Sequence, residues 1–261
     1  MIYKDMSNSE YHAHPAISSS AVKTVAKSTI AHWLGQERKE TPAMALGSAV
    51  HSLALEPHKK EVVRGPETRR GNAWKDACAE AKTFNPDAIV LPEAEFDKAQ
   101  AIANAARSNP FMAEYLADEQ SKIEMSVILT DPDCDMELRT RPDLYHPDGT
   151  IIDLKTTIDA SPNGFSKQSL NLAYHIQAFH YCRVLELEGL RVNRFVFVAV
   201  ETSAPYATCT HVVSTGLMQL GGLDWERAME QMLKYEETGE ITTNWPEMNE
   251  LFLPSWMNND I

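Results

Sequence analysis

Residues 139–157 read RTRPDLYHPDGTIIDLKTT, and no other stretch limits so tightly what the chain can become. Asp148-Gly149, inside His146-Pro147-Asp148-Gly149, is a strong tight-turn signal. Thr150 to Thr156 after it has the β-branched character of a strand. Side chains alternate along a strand, which puts Asp153 and Lys155 on one face and Ile152 and Leu154 on the other. An unpaired buried charge costs several kcal/mol, so charges in such a strand need a partner or a task. Asp143 lies on the strand entering the turn, and a tight hairpin brings it near Asp153. Two converging carboxylates repel unless a cation sits between them, and oxygen ligands of this kind suit Mg²⁺ or Mn²⁺. Lys155 beside them can position or help deprotonate a water and stabilise charge on a phosphate. A lone Asp-x-Lys is common and is more readily a cross-strand ion pair, so what else converges here decides the matter.

The remaining pattern surrounds this hairpin with helices. Helices are expected over Ser18 to Gln36, with Val22, Val25 and Ala26 on one stripe, over Ala43 to Leu55, and over Glu93 to Ser108 continuing through Phe111 to Leu116. Ile123 to Leu129 alternates as one strand with Glu124 opposite Met125, Val127 and Leu129, and Met136 to Thr140 follows as the next. One long helix is predicted from about Ser166 to Glu188, then strands over Arg194 to Glu201 and Ala207 to Val213, then a helix from about Leu217 to Glu237. The architecture expected is α/β, a mixed central β-sheet flanked by helices. No Pro/Gly/Ser-rich linker or repeat divides the 261 residues, so a single domain over 1–261 is expected, mainly helical through residue 120 and sheet-bearing from 121 onward.

Four cysteines, Cys78, Cys134, Cys182 and Cys209, stand far apart without C-x-x-C spacing, which argues against a cysteine-held metal. No apolar run reaches the length of a membrane span, and MIYKDMSNSEYH lacks a signal-peptide layout; a cytoplasmic protein is expected. The net charge of −13 argues against a general coat of nucleic-acid-binding charge. It leaves room for an enzyme that collects cations and lines one channel with Lys and Arg.

Three further features bear on the hairpin. His51 sits on an otherwise apolar helix, where a single histidine is more often a satisfied core residue than a ligand. Tyr174, Gln177 and Tyr181 form a polar stripe on the helix after the Asp-x-Lys strand, with Leu172, Ile176, Phe179 and Leu187 on the core side. Glu124 is either a solvated strand residue or a further acid near a metal.

In chain order these pieces are G-x-x-x-H, Glu124, R-P-D, D-L-K-T-T and Q-x-x-x-Y, and together they resemble the PD-(D/E)xK nuclease superfamily in its RecB-like branch. The segments IYKDMSNSEYHAHPAISSSAVK, LGSAVHSLALEP, RTRPDLY, IIDLKTT, YHIQAFHY and WPEMNELFLPSW are similar, in that order, to the nuclease domain of RecE-type exonucleases (exonuclease VIII). The middle, about Lys59 to Gln120, matches least, and only TRRGNAWKD there looks familiar. The resemblance implies a restriction-endonuclease-like core, His51, Asp143, Asp153 and the Leu154 carbonyl as metal ligands, and Lys155 as the catalytic lysine. It further implies that Gln177 and Tyr181 hold the active site or the DNA end, with Glu124 as an additional acid. The second acid is Asp153 rather than Glu, shorter by a methylene. Implied too are Mg²⁺, with Mn²⁺ as a substitute, a ring-shaped homotetramer, 5′→3′ digestion of linear double-stranded DNA, and an annealing partner like RecT. A closed ring suits an acidic protein, because topology then holds a polyanion that open electrostatic adhesion would not.

Arg69, Arg70, Lys75, Arg141 and Tyr174 are candidates for strand contacts and Trp74 for base stacking, each equally readable as ordinary surface. Lys23 and Lys27, one helical turn apart, carry the same two readings. The alternatives to an exonuclease are a PD-(D/E)xK endonuclease of structure-specific or restriction type, and a DNA-binding module that keeps the fold without turnover.

Overall fold

In this computed structural model the described residues are 1–4, 6–35, 41–241, 245, 248 and 250. The first half contains β1 (Ile2–Tyr3), α1 (Asn8–Ala13), β2 (Ile17–Ser18), α2 (Ser19–Lys27), α3 (Ile30–Leu34), α4 (Pro42–Leu55), β3 (Val62–Arg64), α5 (Gly71–Phe84), β4 (Ile89–Leu91), α6 (Glu93–Ser108) and α7 (Pro110–Ala117). The second half contains β5 (Lys122–Ile123), β6 (Ser126–Asp131), β7 (Met136–Thr140), β8 (Leu144–His146), β9 (Thr150–Thr157), α8 (Pro162–Asn171), α9 (Tyr174–Leu187), β10 (Arg194–Glu201), β11 (Thr208–Val212) and α10 (Thr215–Thr238). Helix starts follow the caps in the sequence. Ser7, Ser18, Thr41, Asn109, Ser161 and Ser214 each accept a bond from the third helical N–H, satisfying a donor the helix leaves orphaned.

Five strands form the central sheet in the order β11-β10-β9-β8-β5, mixed because β10 runs parallel to β9 while the other pairs are antiparallel. Strand β9 is central, and its two faces feed different cores. Ile152 and Leu154, with Val198 and Val200 of β10, join residues of α4, α6 and α7. Ile151, with Phe195, Phe197 and Ala199, joins residues of α2, α9, α10 and a second sheet of order β1-β6-β7-β2. A parallel pair, β3 and β4, stands apart from both. Among the described residues no helix is long and apolar enough to cross a membrane.

The structure corrects the sequence reading in three places. Ile123 to Leu129 is not one strand: Glu124 takes a left-handed backbone, φ 51°, between β5 and β6. The chain leaves the central sheet there, since β5 pairs with β8 whereas β6 pairs with β1 and β7. Glu124 is therefore a corner residue, not a mid-strand one. Next, the long helix breaks before Tyr174, with Ala173 at φ 53°. Finally, α9 buries its polar stripe: Gln177 and Tyr181 are buried, whereas Leu172 and Leu187, expected in the core, are exposed. The helix lies between the sheet and α10, and the approach on the outer side is tight. A Cβ on Gly221 of α10 would meet the His175 carbonyl oxygen at 2.3 Å, so only glycine fits. Of the segment WPEMNELFLPSW, all but Trp245, Met248 and Glu250 lies outside the described residues.

Candidate active site

The site grows from the end of the β8–β9 hairpin. Leu144 pairs with Ile152, so one residue earlier Asp143 comes opposite Asp153. The backbone pairing stops there and a side chain continues it: Asp143 Oδ2 accepts the Leu154 N–H at 2.6 Å. In an extended strand the N–H and C=O of one residue point the same way, so the Leu154 carbonyl is directed to this edge too, beyond Leu144, the first residue of β8. The corner residue closes the other side, with Glu124 N–H donating to the Asp143 carbonyl at 3.1 Å. Both acids are buried, Asp143 to 7% exposure and Asp153 to 1%.

Asp153 points into the core shared with α9. Its Oδ2 accepts from Gln177 Nε2 at 2.7 Å, and its Oδ1 forms an ion pair with the Lys155 ammonium. That pairing lacks hydrogen-bond alignment, which leaves Oδ1 a buried acceptor with no hydrogen bond. Lys155 Nζ lies 4.9 Å from the centroid of the Tyr174 ring. Burial works against charge on Lys155, but the Asp153 carboxylate outweighs it and keeps the ammonium protonated. Tyr181, one turn after Gln177, is neutral, because burial pushes its phenol well above the usual value.

On the opposite side of Asp143 stands α4. Its Gly47 faces the end of β9, where a Cβ would come within 3.7 Å of Thr156 Oγ1, and His51 one turn later reaches the hairpin. His51 Nδ1 is 3.4 Å from Asp143 Oδ2. One ligand atom each from His51, Glu124 and Asp143 falls within 4.8 Å of the others. Burial disfavours an imidazolium, yet Asp143 more than compensates and raises His51 to about 9. Burial, with repulsion from Asp143, lifts Glu124 to about 8. Burial alone would raise Asp143 as well; His51 holds it below the ordinary carboxylate range.

Two acids and an imidazole thus face one point, and their shifts come from burial and from one another. The donor set, an imidazole nitrogen with carboxylate oxygens, fits a divalent ion. Of the ligands expected from the sequence, His51 and Asp143 meet at this point, and Glu124 is better placed than its strand assignment implied. Asp153 stands next to them with its oxygens directed to Gln177 and Lys155.

A cleft of about 930 Å³ opens onto this cluster, lined by His51, Glu124 and Asp143 and farther out by Lys4, Arg69 and Trp74. Arg69 pairs with Glu95 and lies 5.8 Å from the Trp74 ring centroid. Arg70 and Lys75 are exposed at the start of α5, outside the residues that line the cleft. Arg141 lines the cleft but is buried and tied within the protein. Its Nε donates to Ser126 Oγ at 2.7 Å and its Nη2 to the Met6 carbonyl at 2.8 Å, and its guanidinium lies over the Tyr11 ring, so it clamps the N-terminal segment to β6. Tyr174 is half-buried and lies beside the Lys155 ammonium. The corner at Glu124 was invisible in the sequence, because no Gly or Asn marks it.

Adjoining strands of a mixed sheet that deliver an Asp and an Asp-x-Lys to one edge, with helices on both faces, define the core of the PD-(D/E)xK nuclease superfamily. Within that class the chain belongs to the family described as "PDDEXK-like domain of unknown function (DUF3799)", whose profile matches residues 3–249. The fold is shared with the crystal structure of a "Putative exonuclease" from Eubacterium rectale, with a TM-score of 0.65 at 16% identity over 98% of each chain. A "phage related exonuclease" from Haemophilus somnus 129PT aligns with a TM-score of 0.39 at 12% identity, over 88% of this chain and 98% of that one. No curated protein matches.

Proposed function

We propose that the chain is a divalent-metal-dependent exodeoxyribonuclease that digests linear double-stranded DNA and leaves a 3′ single strand. The observation that carries this reading is the meeting, at Asp143, of two charge systems. His51 and Glu124 face it from one side, and the Asp153–Lys155–Gln177 group adjoins it from the other. That is the equipment of phosphodiester hydrolysis.

His51, Glu124 and Asp143 would hold the cation, Mg²⁺ with Mn²⁺ as a substitute, and the Leu154 carbonyl and Asp153 Oδ1 are the next oxygens to hand. When bound there, a divalent ion supplies positive charge to the phosphate and lowers the pKa of a water. The protein's own groups do the rest. Lys155 keeps its charge through Asp153 and offers an ammonium to the attacking water or the phosphate oxygen. Gln177 fixes Asp153, and through it Lys155, so the ammonium has one orientation before substrate arrives. Protons held by His51 and Glu124 must leave before those groups can act as ligands. The cleft bearing Arg69 and Trp74 is the approach for the duplex, with a basic side chain for phosphates and a ring for a base. The same reading takes DNA ends as the substrate, a RecT-like annealing protein as partner, 5′→3′ polarity, and a ring-shaped homotetramer as the working form.

The test is digestion of a linear duplex labelled separately at its 5′ and 3′ ends, alongside closed circular DNA, with Mg²⁺ and then EDTA. Early release of the 5′ label, intact circles and arrest by EDTA are expected. Cutting of the circles would make it an endonuclease. Activity undiminished in EDTA would end the metal-dependent reading altogether.

A further inference from the structure

The proposed reaction uses one lysine, yet a second half-buried lysine stands at the same ring. Lys23 Nζ lies 5.6 Å from the Tyr174 centroid, the ring that Lys155 Nζ approaches to 4.9 Å. Among the described residues no carboxylate pairs with the Lys23 ammonium and no acceptor takes a hydrogen bond from it. Asp153 is the nearby acid, and Lys155 and Gln177 already use its two oxygens. This end of the site therefore carries an ammonium in excess. Burial, with repulsion from Lys155, brings Lys23 down to about 8, in keeping with a cation that lacks a counter-ion.

The position is built, not incidental. Val22 and Val25 of α2 are fully packed in the core beneath. Lys27, one turn on, donates to the Asn171 carbonyl, fastening α2 to the break between α8 and α9. That break sets Tyr174 at the first turn of α9. Lys23, Tyr174 and Lys155 are each half-buried, so this end of the site is reached by solvent beside the residues that line the cleft.

We propose that Lys23 is a second phosphate-contacting residue, whose ammonium takes a backbone phosphate next to the one being cut while Lys155 serves the scissile one. A half-buried cation without a counter-ion is stabilised when substrate brings the missing anion. The assignment rests on the nuclease reading, and it makes Lys23 a positioning residue for the nucleic-acid strand.

The test measures binding of a fluorescent short duplex in Ca²⁺ across a KCl series, for the wild-type chain, Lys23→Met, Lys23→Gln and Lys23→Arg, with melting curves for each. Loss of one phosphate contact lowers the slope of log K against log[KCl] by about one, which is roughly a tenfold loss of affinity at 0.1 M salt. We expect that loss in the Met and Gln variants and recovery in Lys23→Arg. In Mg²⁺ the same two variants should raise KM more than they lower kcat. If either folded neutral variant keeps the wild-type slope and affinity, Lys23 is packing only and the assignment is overturned. Wild-type DNA binding without cleavage in Mg²⁺ would instead remove the nuclease reading, and the binding slopes would still decide Lys23.

Discussion

On one side of Asp143 the Asp153 carboxylate has an ammonium at one oxygen and an amide at the other; on the other side Glu124 and His51 face the same Asp143. Asp143 and Asp153 are buried and Lys155, His51 and Glu124 half-buried, yet the first group is balanced by its own side chains whereas the second gathers two acids around one imidazole. The difference separates two jobs. A self-paired group can be rigid before substrate arrives, whereas a group short of positive charge is built to receive it. Asp143 belongs to both, through the Leu154 N–H on the paired side and His51 on the other.

The severest way to break this division is to neutralise the shared member. Asp143→Asn keeps an acceptor for Leu154 but removes the ligand charge. Since losing a residue that merely orients a ligand costs about 10–100-fold, loss of the ligand itself should exceed about 10²-fold in turnover. Cleavage assays in Mg²⁺ check it, and a drop of only a few fold would take Asp143 out of the cation site. Next comes Lys155→Met, which leaves Asp153 buried without its cation. It should abolish cleavage and also lower unfolding free energy by about 3 kcal/mol, read from denaturant melts. An unchanged midpoint would mean that the paired half is less paired than its geometry shows.

The cation-short half should answer to pH instead. Its protons compete with metal, so Mn²⁺ affinity should rise from pH 6.5 to 9 as Glu124, near 8, and His51, near 9, let them go. Calorimetric titration would show proton release; a flat profile would contradict the shared-proton arrangement. In the metal-free chain the raised His51 adds stability that is fully present below its ordinary 6.5 and lost as pH climbs through about 9. The stability gap between wild type and His51→Gln should therefore be larger at pH 6 than at pH 9. The smallest effect expected is for Gln177→Ala, about 1–3 kcal/mol of stability from leaving Asp153 Oδ2 without its donor, with Mn²⁺ affinity nearly unchanged.

The paired half was the more legible in the sequence. Period-two alternation placed Asp153 and Lys155 together, and the Asp-Gly turn set a register that puts Asp143 opposite Asp153. The Ser18 cap marked the start of α2 but not its end at Lys27, where α3 follows as a separate helix, while the apolar stripe before Pro57 located α4 to within a residue. The other half was harder to read, because it depends on where chains cross over. Glu124 adopts φ 51° and Ala173 φ 53° without the glycine or asparagine that usually signals such a turn. Tertiary packing imposes both, and each redirects the chain beyond it: one moves β6 into a second sheet, the other turns Gln177 inward. The ties that Arg141 makes were hidden for a related reason. Its acceptors, Met6 and Ser126, lie in segments whose proximity no local pattern records.

The carboxylate of Asp143 is, in effect, the last rung of the β8–β9 ladder. Fraying of that hairpin end and dismantling of the reaction centre are then one event, and the opening of a single amide, that of Leu154, would report both in hydrogen exchange. Any displacement of the Asp143 carboxylate would be felt at that rung directly.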